Sequence, residues 1–224
     1  MSAERTVKRA RSCNLITAVM ILFSVVWMFS GVIIGHGKVA LTTARWGMLK
    51  YYTVDSNILM LVVAAIAAHA QNEVLKGKRA ELPSWLPALK LIGVVGVTLT
   101  MLVTVFFLGP TMPGGYRALF SNSNFFLHLV NPLMSIYTLL VPERGSCAER
   151  KEALYGVSSV VIYAACYALN CAVHTVDNVV PRQVDWYGFA AAGLRMGCLV
   201  ALPLLLLCSY AISLALWRLN RGKK

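Results

Sequence analysis

Residues on two predicted helices have the types and spacing needed for nucleophilic catalysis. On the segment NFFLHLVNPLMS, a polar residue recurs at i, i+4, i+7 and i+11, which is one face of an α-helix: Asn124, His128, Asn131 and Ser135. The candidate nucleophile is Thr53, in the segment YYTVDSNIL. A threonine hydroxyl attacks only after a base has removed its proton, and the imidazole of His128 could be that base.

Other polar groups are predicted near this pair. Asn57, Asn124 or Asn131 could donate a hydrogen bond to the oxyanion that forms during acyl transfer. Asp55 lies two residues after Thr53 and is a further binding candidate. These side chains favour a single polar site shared by the two helices.

A second polar stripe is predicted on a later helix. It repeats the helical spacing with Ser159, Tyr163, Cys166, Asn170 and His174. One face of that helix is therefore polar. Tyr163 and Asn170 are candidate binding residues of this stripe.

Apart from Lys90 at the start of the third span, which is counted with a cytoplasmic segment, Arg195 is the one basic residue predicted within a membrane span. A charged group at membrane depth costs at least about 2.5 kcal/mol on insertion scales, so it normally faces the interior of a bundle. The guanidinium could hold a substrate carboxylate or phosphate in a bidentate contact. Asp55 is the first candidate for its counter-ion and Asp185 the second. The alternative is a structural ion pair that fastens two helices together.

Structural roles would account for part of this pattern. Ser56 and the serines of the SNSN segment (121–124) can cap a helix start. A histidine such as His128 can simply form a hydrogen bond between helices, with Pro132 producing a kink. A hydroxyl, an imidazole, amides and an arginine at one depth nevertheless favour a functional site.

The composition is that of a membrane protein. Of the 224 residues, 58% are hydrophobic and 13% are charged, against roughly 25% charged residues in soluble proteins. The net charge of +12 comes from short basic clusters between apolar runs. Because no nucleic-acid-binding motif accompanies those clusters, they predict membrane topology, and no nucleic-acid partner is expected.

Six apolar stretches are long enough to cross a bilayer, which takes about 20 residues. They cover residues of about 13–35, 51–71, 88–109, 122–141, 153–174 and 188–217. The predicted fold is therefore all-α, a single domain formed by a bundle of six transmembrane helices. In the first span, Gly31 and Gly35 match the spacing of small residues that lets helices pack closely.

The basic residues of the loops predict the orientation. With the N-terminus inside, the cytoplasmic segments hold fifteen Lys and Arg residues, Lys90 among them, and the outer segments hold five. Since basic residues are retained on the cytoplasmic side, both termini are predicted to be cytoplasmic, and Thr53 and His128 lie in the outer half. Trp186 and Tyr187 are typical of the aromatic belt at a membrane surface.

Several classes of enzyme lose support because their motifs are missing. The chain has no GxSxG, HExxH, GxGxxG or Walker sequence, which are the signatures of serine hydrolases, zincins and nucleotide-binding proteins. The six cysteines include no CxxC pair, so neither a metal site nor a disulfide is predicted. No cofactor is expected.

The segments KYYTVDSNIL and NFFLHLVNPLMSI resemble a known family. They are similar to the androgen-induced and androgen-dependent membrane proteins, which are intramembrane threonine hydrolases that cleave fatty-acid esters of hydroxy fatty acids, and to their bacterial integral-membrane relatives. The resemblance implies that Thr53 is the nucleophile and that His128, shortly before Pro132, is its partner. It also implies a lipid-ester substrate and a location in a bacterial plasma membrane.

Three hypotheses about function follow. The first is a hydrolase or acyl-transferring enzyme that acts on lipid esters near the outer leaflet, with membrane lipids as its partners. The second is a transporter or permeation protein in which Asp55, His128 and Arg195 line a path for protons or an anion. The third is a non-catalytic bundle that binds lipid or a partner protein. The sequence predicts no oligomeric state.

Overall fold

The protein is a bundle of helices. The computed structural model describes residues 3–147, 149–177, 179–189 and 197–221. Within them six helices are found: α1 (Ala3–Ser30), α2 (Tyr52–Leu75), α3 (Leu86–Thr111), α4 (residues 123–140), α5 (Glu152–Val173) and α6 (residues 197–221). Short helical turns at Arg45–Lys50 and Gly115–Leu119 lie in the connections. The predicted all-α class is confirmed for the described residues.

Five of these helices are long and apolar enough to cross a membrane. They are α1, α2, α3, α5 and the part of α6 that begins at Leu199. Large apolar side chains such as Leu22, Ile162 and Leu207 are exposed on the helix surfaces, as expected where a bundle faces lipid rather than water. The protein is therefore an integral membrane protein by the length and composition of its helices.

Helix α4 is the sixth predicted span, but it does not join this group. It consists of three pieces, Ser123–Phe125, a wide π turn at Phe126–Val130 and Asn131–Leu140. Asn131 and Pro132 follow the π turn directly, and a proline in a helix removes one backbone hydrogen bond and so favours a change of helical pitch. The polar residues of α4 lower its mean hydropathy, whereas its proline does not set it apart, because α3 and α6 also have a proline just after a π turn.

The first helix differs from its prediction at both ends. It begins at Ala3, so the N-terminal basic cluster belongs to the helix, and it ends at Ser30 rather than at about residue 35. Gly31 stops it by adopting a φ of +74°, and Gly35 lies in the following loop with a φ of +86°. Glycine reaches these positive φ values at little cost and commonly ends helices in this way. The interpretation of these glycines as a helix-packing motif was wrong.

The apolar core lies where α1, α2, α3, α4 and α6 meet. Its fully buried members include Ile21, Met60, Val94 and Leu139. Helices α2, α3 and α5 also approach closely at Gly96: a Cβ atom at this position would lie 3.1 Å from the Tyr52 hydroxyl and 3.3 Å from the Ser159 hydroxyl. Glycine favours this close approach, because a side chain at this position would require its neighbours to shift by a few tenths of an ångström.

Candidate functional site

Helices α2 and α4 start at the same end of the bundle, which we call the Thr53 end, and a contact between them fixes their register. The side-chain amide of Asn131 donates to Asn57 Oδ1 over 2.9 Å. One helical turn before these two residues lie Thr53 on α2 and His128 on α4. Since both helices run in the same direction from this end, Thr53 and His128 lie at a similar depth.

His128 is buried and held in one orientation. Its side chain is only 3% exposed, and Nδ1 lies 3.3 Å from the carbonyl oxygen of Leu119. A carbonyl can only accept a hydrogen bond, so Nδ1 carries the proton and donates it to that bond. The Nε2 atom then keeps its lone pair, which is the form of imidazole that a general base requires.

Thr53 faces a different surface. It is half-buried and lines an apolar cavity of about 180 Å³ between α2, α3, α5 and α6, which we call the Thr53 cavity. Leu99, Val103 and Val160 are among the other lining residues. No hydrogen bond joins the Thr53 hydroxyl to His128 or to any other described residue. The structure places the two residues at similar depth without connecting them directly.

Two of the three predicted oxyanion donors are already in use. Both amide hydrogens of Asn57 are donated, to the carbonyl oxygens of Thr53 at 2.7 Å and Leu127 at 3.2 Å. Asn131 donates to Ser24 Oγ and to Asn57 Oδ1, each over 2.9 Å. An amide has two hydrogens to give. Asn57 and Asn131 therefore fasten α1, α2 and α4 together rather than offering donors to a ligand.

Asn124 is the remaining amide of the predicted set. It is fully buried and donates to the carbonyl oxygen of Leu41 over 3.3 Å. Its second amide hydrogen has no partner among the described residues, and neither has its Oδ1 atom. Of the three, Asn124 is the one that keeps an amide hydrogen for a ligand, whereas Asn131 keeps only an unpaired Oδ1 atom, which can accept but not donate.

The polar stripe of α5 lines an open cleft. Ser159, Tyr163, Cys166 and Asn170 lie on the wall of a cleft of about 710 Å³, which we call the Asp55 cleft because Asp55 lies opposite them on α2. The fifth member of the stripe, His174, is exposed, and its ring Nδ1 lies within hydrogen-bond distance of the carbonyl oxygen of Asn170, one turn earlier in the same helix. Tyr163 and Asn170 thus lie where a ligand could reach them.

The Asp55 cleft and the Thr53 cavity share three of their lining residues, Tyr52, Tyr163 and Tyr167. The aromatic wall continues with Trp186, whose ring centroid is 5.0 Å from that of Tyr167. Tyr187 also belongs to it, because its hydroxyl accepts a hydrogen bond from the backbone amide of Tyr52 over 2.9 Å. The sequence analysis placed Trp186 and Tyr187 in an aromatic belt and did not predict that they belong to this wall. Their contacts with α2 and α5 join residues far apart in sequence, so no local pattern indicates them.

The predicted partners of Arg195 have separate surroundings. Arg195 itself lies outside the described residues. Asp185 is buried, 6% exposed, and accepts a hydrogen bond from the Tyr167 hydroxyl. Asp55 is half-buried, and its carboxylate forms neither an ion pair nor a hydrogen bond with another described residue. Its carboxylate faces the cleft.

A buried charged cluster that the sequence analysis missed lies at the opposite end, which we call the Lys90 end. Lys90, counted above with the cytoplasmic basic residues, is 2% exposed on α3, and its Nζ lies 3.5 Å from Glu143 Oε2. Asn14 and Gln71 donate to Glu143 Oε1 over 2.6 and 3.0 Å, and Asn14 Oδ1 accepts from Lys90. Asn14 and Gln71, polar residues within predicted spans, were the signal that could have revealed this cluster.

Comparisons with protein-family models, with curated proteins and with solved structures found no match. Within the described residues, no group of three or more His, Cys, Asp and Glu side chains is arranged to hold a metal ion. The site must therefore be interpreted from its own chemistry.

Proposed function

We propose that the protein is an intramembrane hydrolase, or acyl-transferring enzyme, that acts on lipid esters near the outer leaflet. In this proposal α4 is a sixth span, both termini are cytoplasmic, and the Thr53 end is the outer end. Thr53 is the nucleophile and His128 the base.

One observation carries the proposal: Thr53 lies on an apolar cavity that shares an aromatic wall with a polar cleft. A lipid ester has its carbonyl group at the junction of an apolar chain and a polar head. The Thr53 cavity suits the chain, because its wall is mainly aliphatic and aromatic, and the Asp55 cleft suits the polar part. Thr53 is then next to the ester carbon.

The chemistry is that of acyl transfer. The Thr53 oxygen attacks the ester carbonyl carbon while His128 Nε2 takes the hydroxyl proton, and the returning proton leaves with the alcohol. Water then attacks the acyl-threonine ester, again with His128 as base, and releases the fatty acid. Asn124 has the spare amide hydrogen for the oxyanion. Turnover requires the Thr53 hydroxyl to come within hydrogen-bond reach of Nε2, and such contacts often tighten only when substrate binds.

The test is turnover of a panel of fatty-acid esters, and labelling by a fluorophosphonate probe, with the full chain purified in detergent. Thr53→Ala and His128→Ala should lose turnover by about a thousandfold, the usual loss when a member of a nucleophile and base pair is removed. Matched controls are Thr42→Ala and His36→Ala, which change the same residue types at exposed loop positions. Equal turnover in all five proteins would refute the hydrolase.

The topology is tested separately. A reporter that is active only in the cytoplasm is fused after residue 114, after residue 148 and after Lys224. We expect activity at the second and third fusions and none at the first, because α4 lies between the first two. Equal activity at residues 114 and 148 would remove α4 as a span.

A second candidate function is transport, and it rests on a different observation. Buried polar residues follow the interface of α1 and α4 from one end to the other, for example Ser24, Asn131, Ser135, Thr17 and Thr138. The hydroxyls of Thr17 and Thr138 are 3.5 Å apart. Such a seam could relay protons. Proton flux in proteoliposomes that persists in Thr53→Ala, without ester turnover in the wild type, would favour transport over hydrolysis.

A further inference from the structure

The Asp55 cleft has a wall of aromatic rings whose hydrogen-bonding groups are already occupied. The hydroxyl of Tyr163 donates to the carbonyl oxygen of Lys50 over 2.5 Å, and that of Tyr167 donates to Asp185. The indole Nε1 of Trp186 donates to the Tyr163 hydroxyl over 3.3 Å. These three donors are not available to an anion in the cleft.

The rings themselves form one continuous surface. The centroids of Tyr52 and Tyr163 are 5.0 Å apart, those of Tyr163 and Tyr167 are 6.3 Å apart, and those of Tyr167 and Trp186 are 5.0 Å apart. The Tyr52 hydroxyl lies 2.9 Å from Ser159 Oγ, so this ring is fixed as well. The electron-rich face of an aromatic ring attracts a cation. A fixed set of such rings is the usual binding surface for ammonium groups.

The cleft also contains a negative charge that no described residue neutralises. Asp55 lines it and is half-buried, and its carboxylate has no ion pair or hydrogen bond to the rest of the described chain. Desolvating a carboxylate without a partner is costly, whereas a bound cation would supply the missing counter-charge. Lys50 lies on the same wall, with its Nζ 5.1 Å from the centroid of the Tyr51 ring, and could meet the phosphate of a zwitterionic molecule.

The cleft is accessible from the bilayer side of α5. Cys166 and Ile162 line it and are both exposed, Ile162 at 64%. A lipid could therefore enter sideways between α2 and α5, leaving its chain beside the helix surface or in the Thr53 cavity. The volume of about 710 Å³ lies within the usual range of about 300–1,000 Å³ for small-molecule sites.

From this geometry we propose that the Asp55 cleft binds the ammonium group of a zwitterionic phospholipid headgroup, of the choline or ethanolamine type. The ammonium lies against Tyr52, Tyr163, Tyr167 and Trp186, with Asp55 as its counter-ion. The lipid-ester substrate of the hydrolase would then be such a phospholipid, and this last assignment rests on the proposed function. Binding itself does not require Thr53 to react.

The experiment is competition between lipids, measured by native mass spectrometry of the full chain in a non-ionic detergent. Equal amounts of dioleoyl phosphatidylcholine, phosphatidylethanolamine and phosphatidylglycerol are added, and the bound lipids are counted. We expect the two ammonium lipids to be retained about tenfold over phosphatidylglycerol, the order of magnitude of a desolvated cation–π contact with a counter-ion. Equal retention of phosphatidylglycerol overturns the proposal, and the ratio between the two ammonium lipids identifies the preferred headgroup.

Variants locate the site. Asp55→Asn and Tyr163→Leu should abolish the preference, whereas Tyr163→Phe, which keeps the ring, should retain it. The matched control is Asp177→Asn, an acid in an exposed loop. A preference that survives in Asp55→Asn overturns the proposal, and this holds even if Tyr163→Leu does not fold.

The two proposals fail in different ways. If the wild type and Thr53→Ala both prefer ammonium lipids but no ester is cleaved, the hydrolase is refuted and the binding site stands. If esters are cleaved while the retention of the three lipids is equal, the cleft proposal alone is refuted.

Discussion

The two ends of the bundle differ in whether their charged side chains have partners among the described residues. At the Lys90 end, the ammonium and the carboxylate of Glu143 are paired with each other and surrounded by two amides. At the Thr53 end, Asp55 faces a cleft without a partner among the described residues, and the Thr53 hydroxyl faces a cavity. Polar groups that satisfy one another stabilise a fold, and polar groups left open are available to a ligand.

The strongest test of this comparison is the removal of one charge at the Lys90 end. Glu143→Ala should lower the free energy of unfolding by about 3–5 kcal/mol, because it leaves the Lys90 ammonium buried without its partner. Thermal unfolding in detergent, followed by tryptophan fluorescence, measures the loss. The double variant Lys90→Met/Glu143→Leu should recover most of it, since an apolar pair of similar volume is often as stable as a buried ion pair. A single variant that unfolds like the wild type would contradict the comparison.

An intermediate effect is expected for the contact that sets the register of α2 and α4. Asn131→Leu should cost about 1–2 kcal/mol, because it removes two interhelical hydrogen bonds and leaves Asn57 Oδ1 buried without its donor. The same unfolding measurement applies. The matched control is Asn72→Leu, at the edge of the Lys90 end, where we expect a smaller loss.

Asn72 is the matched control position for Asn131. The Asn72 side chain accepts a single hydrogen bond, from Arg11 over 3.2 Å. Asn131 is fully buried, whereas Asn72 is half-buried. If the two variants lose the same stability, the contact between Asn131 and Asn57 is no stronger than a partly exposed hydrogen bond, and the register argument weakens.

A pH-dependent effect is expected from Cys147, in the loop between α4 and α5. Burial raises the pKa of its thiol from 9.0 to about 12. The folded protein therefore keeps the proton at a pH where the unfolded chain releases it, so stability is unaffected below about pH 9 and falls between pH 9 and 12. The loss should be roughly 1 kcal/mol at pH 10. Unfolding measured at pH 8 and pH 10 checks this, and Cys147→Ala should remove that part of the pH dependence.

The smallest effect is expected at the Thr53 end. Asp55→Asn should change the free energy of unfolding by less than about 0.5 kcal/mol, or raise it slightly, because the carboxylate has no partner among the described residues to lose. Thermal unfolding in detergent, as for Glu143→Ala, measures this change. A loss as large as that of Glu143→Ala would mean that Asp55 has a structural role, and the contrast between the two ends would disappear.

The fold could be predicted from the sequence because it depends on the length and apolar character of segments. The ends of α2, α3 and α5 lie within a few residues of the predicted spans. The start of α1 could not be predicted from its N-terminal basic residues. Such residues occur in loops, but they also occur in the part of a helix that extends beyond the apolar layer to the membrane surface. The polar stripe of α4 was correctly expected on one face, and it is buried.

The site could be predicted only in part, because its contacts join residues distant in sequence. Residue type and the family resemblance were enough to choose Thr53 and His128 as candidates. They could not predict that the two side chains have separate surroundings. The aromatic wall depends on a loop after α5 folding back onto α2, as in the hydrogen bond between Tyr187 and Tyr52. The pairing of Lys90 with Glu143 joins the start of a predicted span to a predicted loop, and only the packed structure shows that both side chains are buried there.

Gly96 has a consequence for the proposed lipid site. It lies behind Tyr52, the residue that belongs to both the cavity and the cleft, and its missing side chain sets how far α3 stands from that ring. Replacing it by alanine would place a methyl group 3.1 Å from the Tyr52 hydroxyl, which would have to shift by a few tenths of an ångström. The shape of the accepted molecule could therefore be altered from a position that no ligand touches.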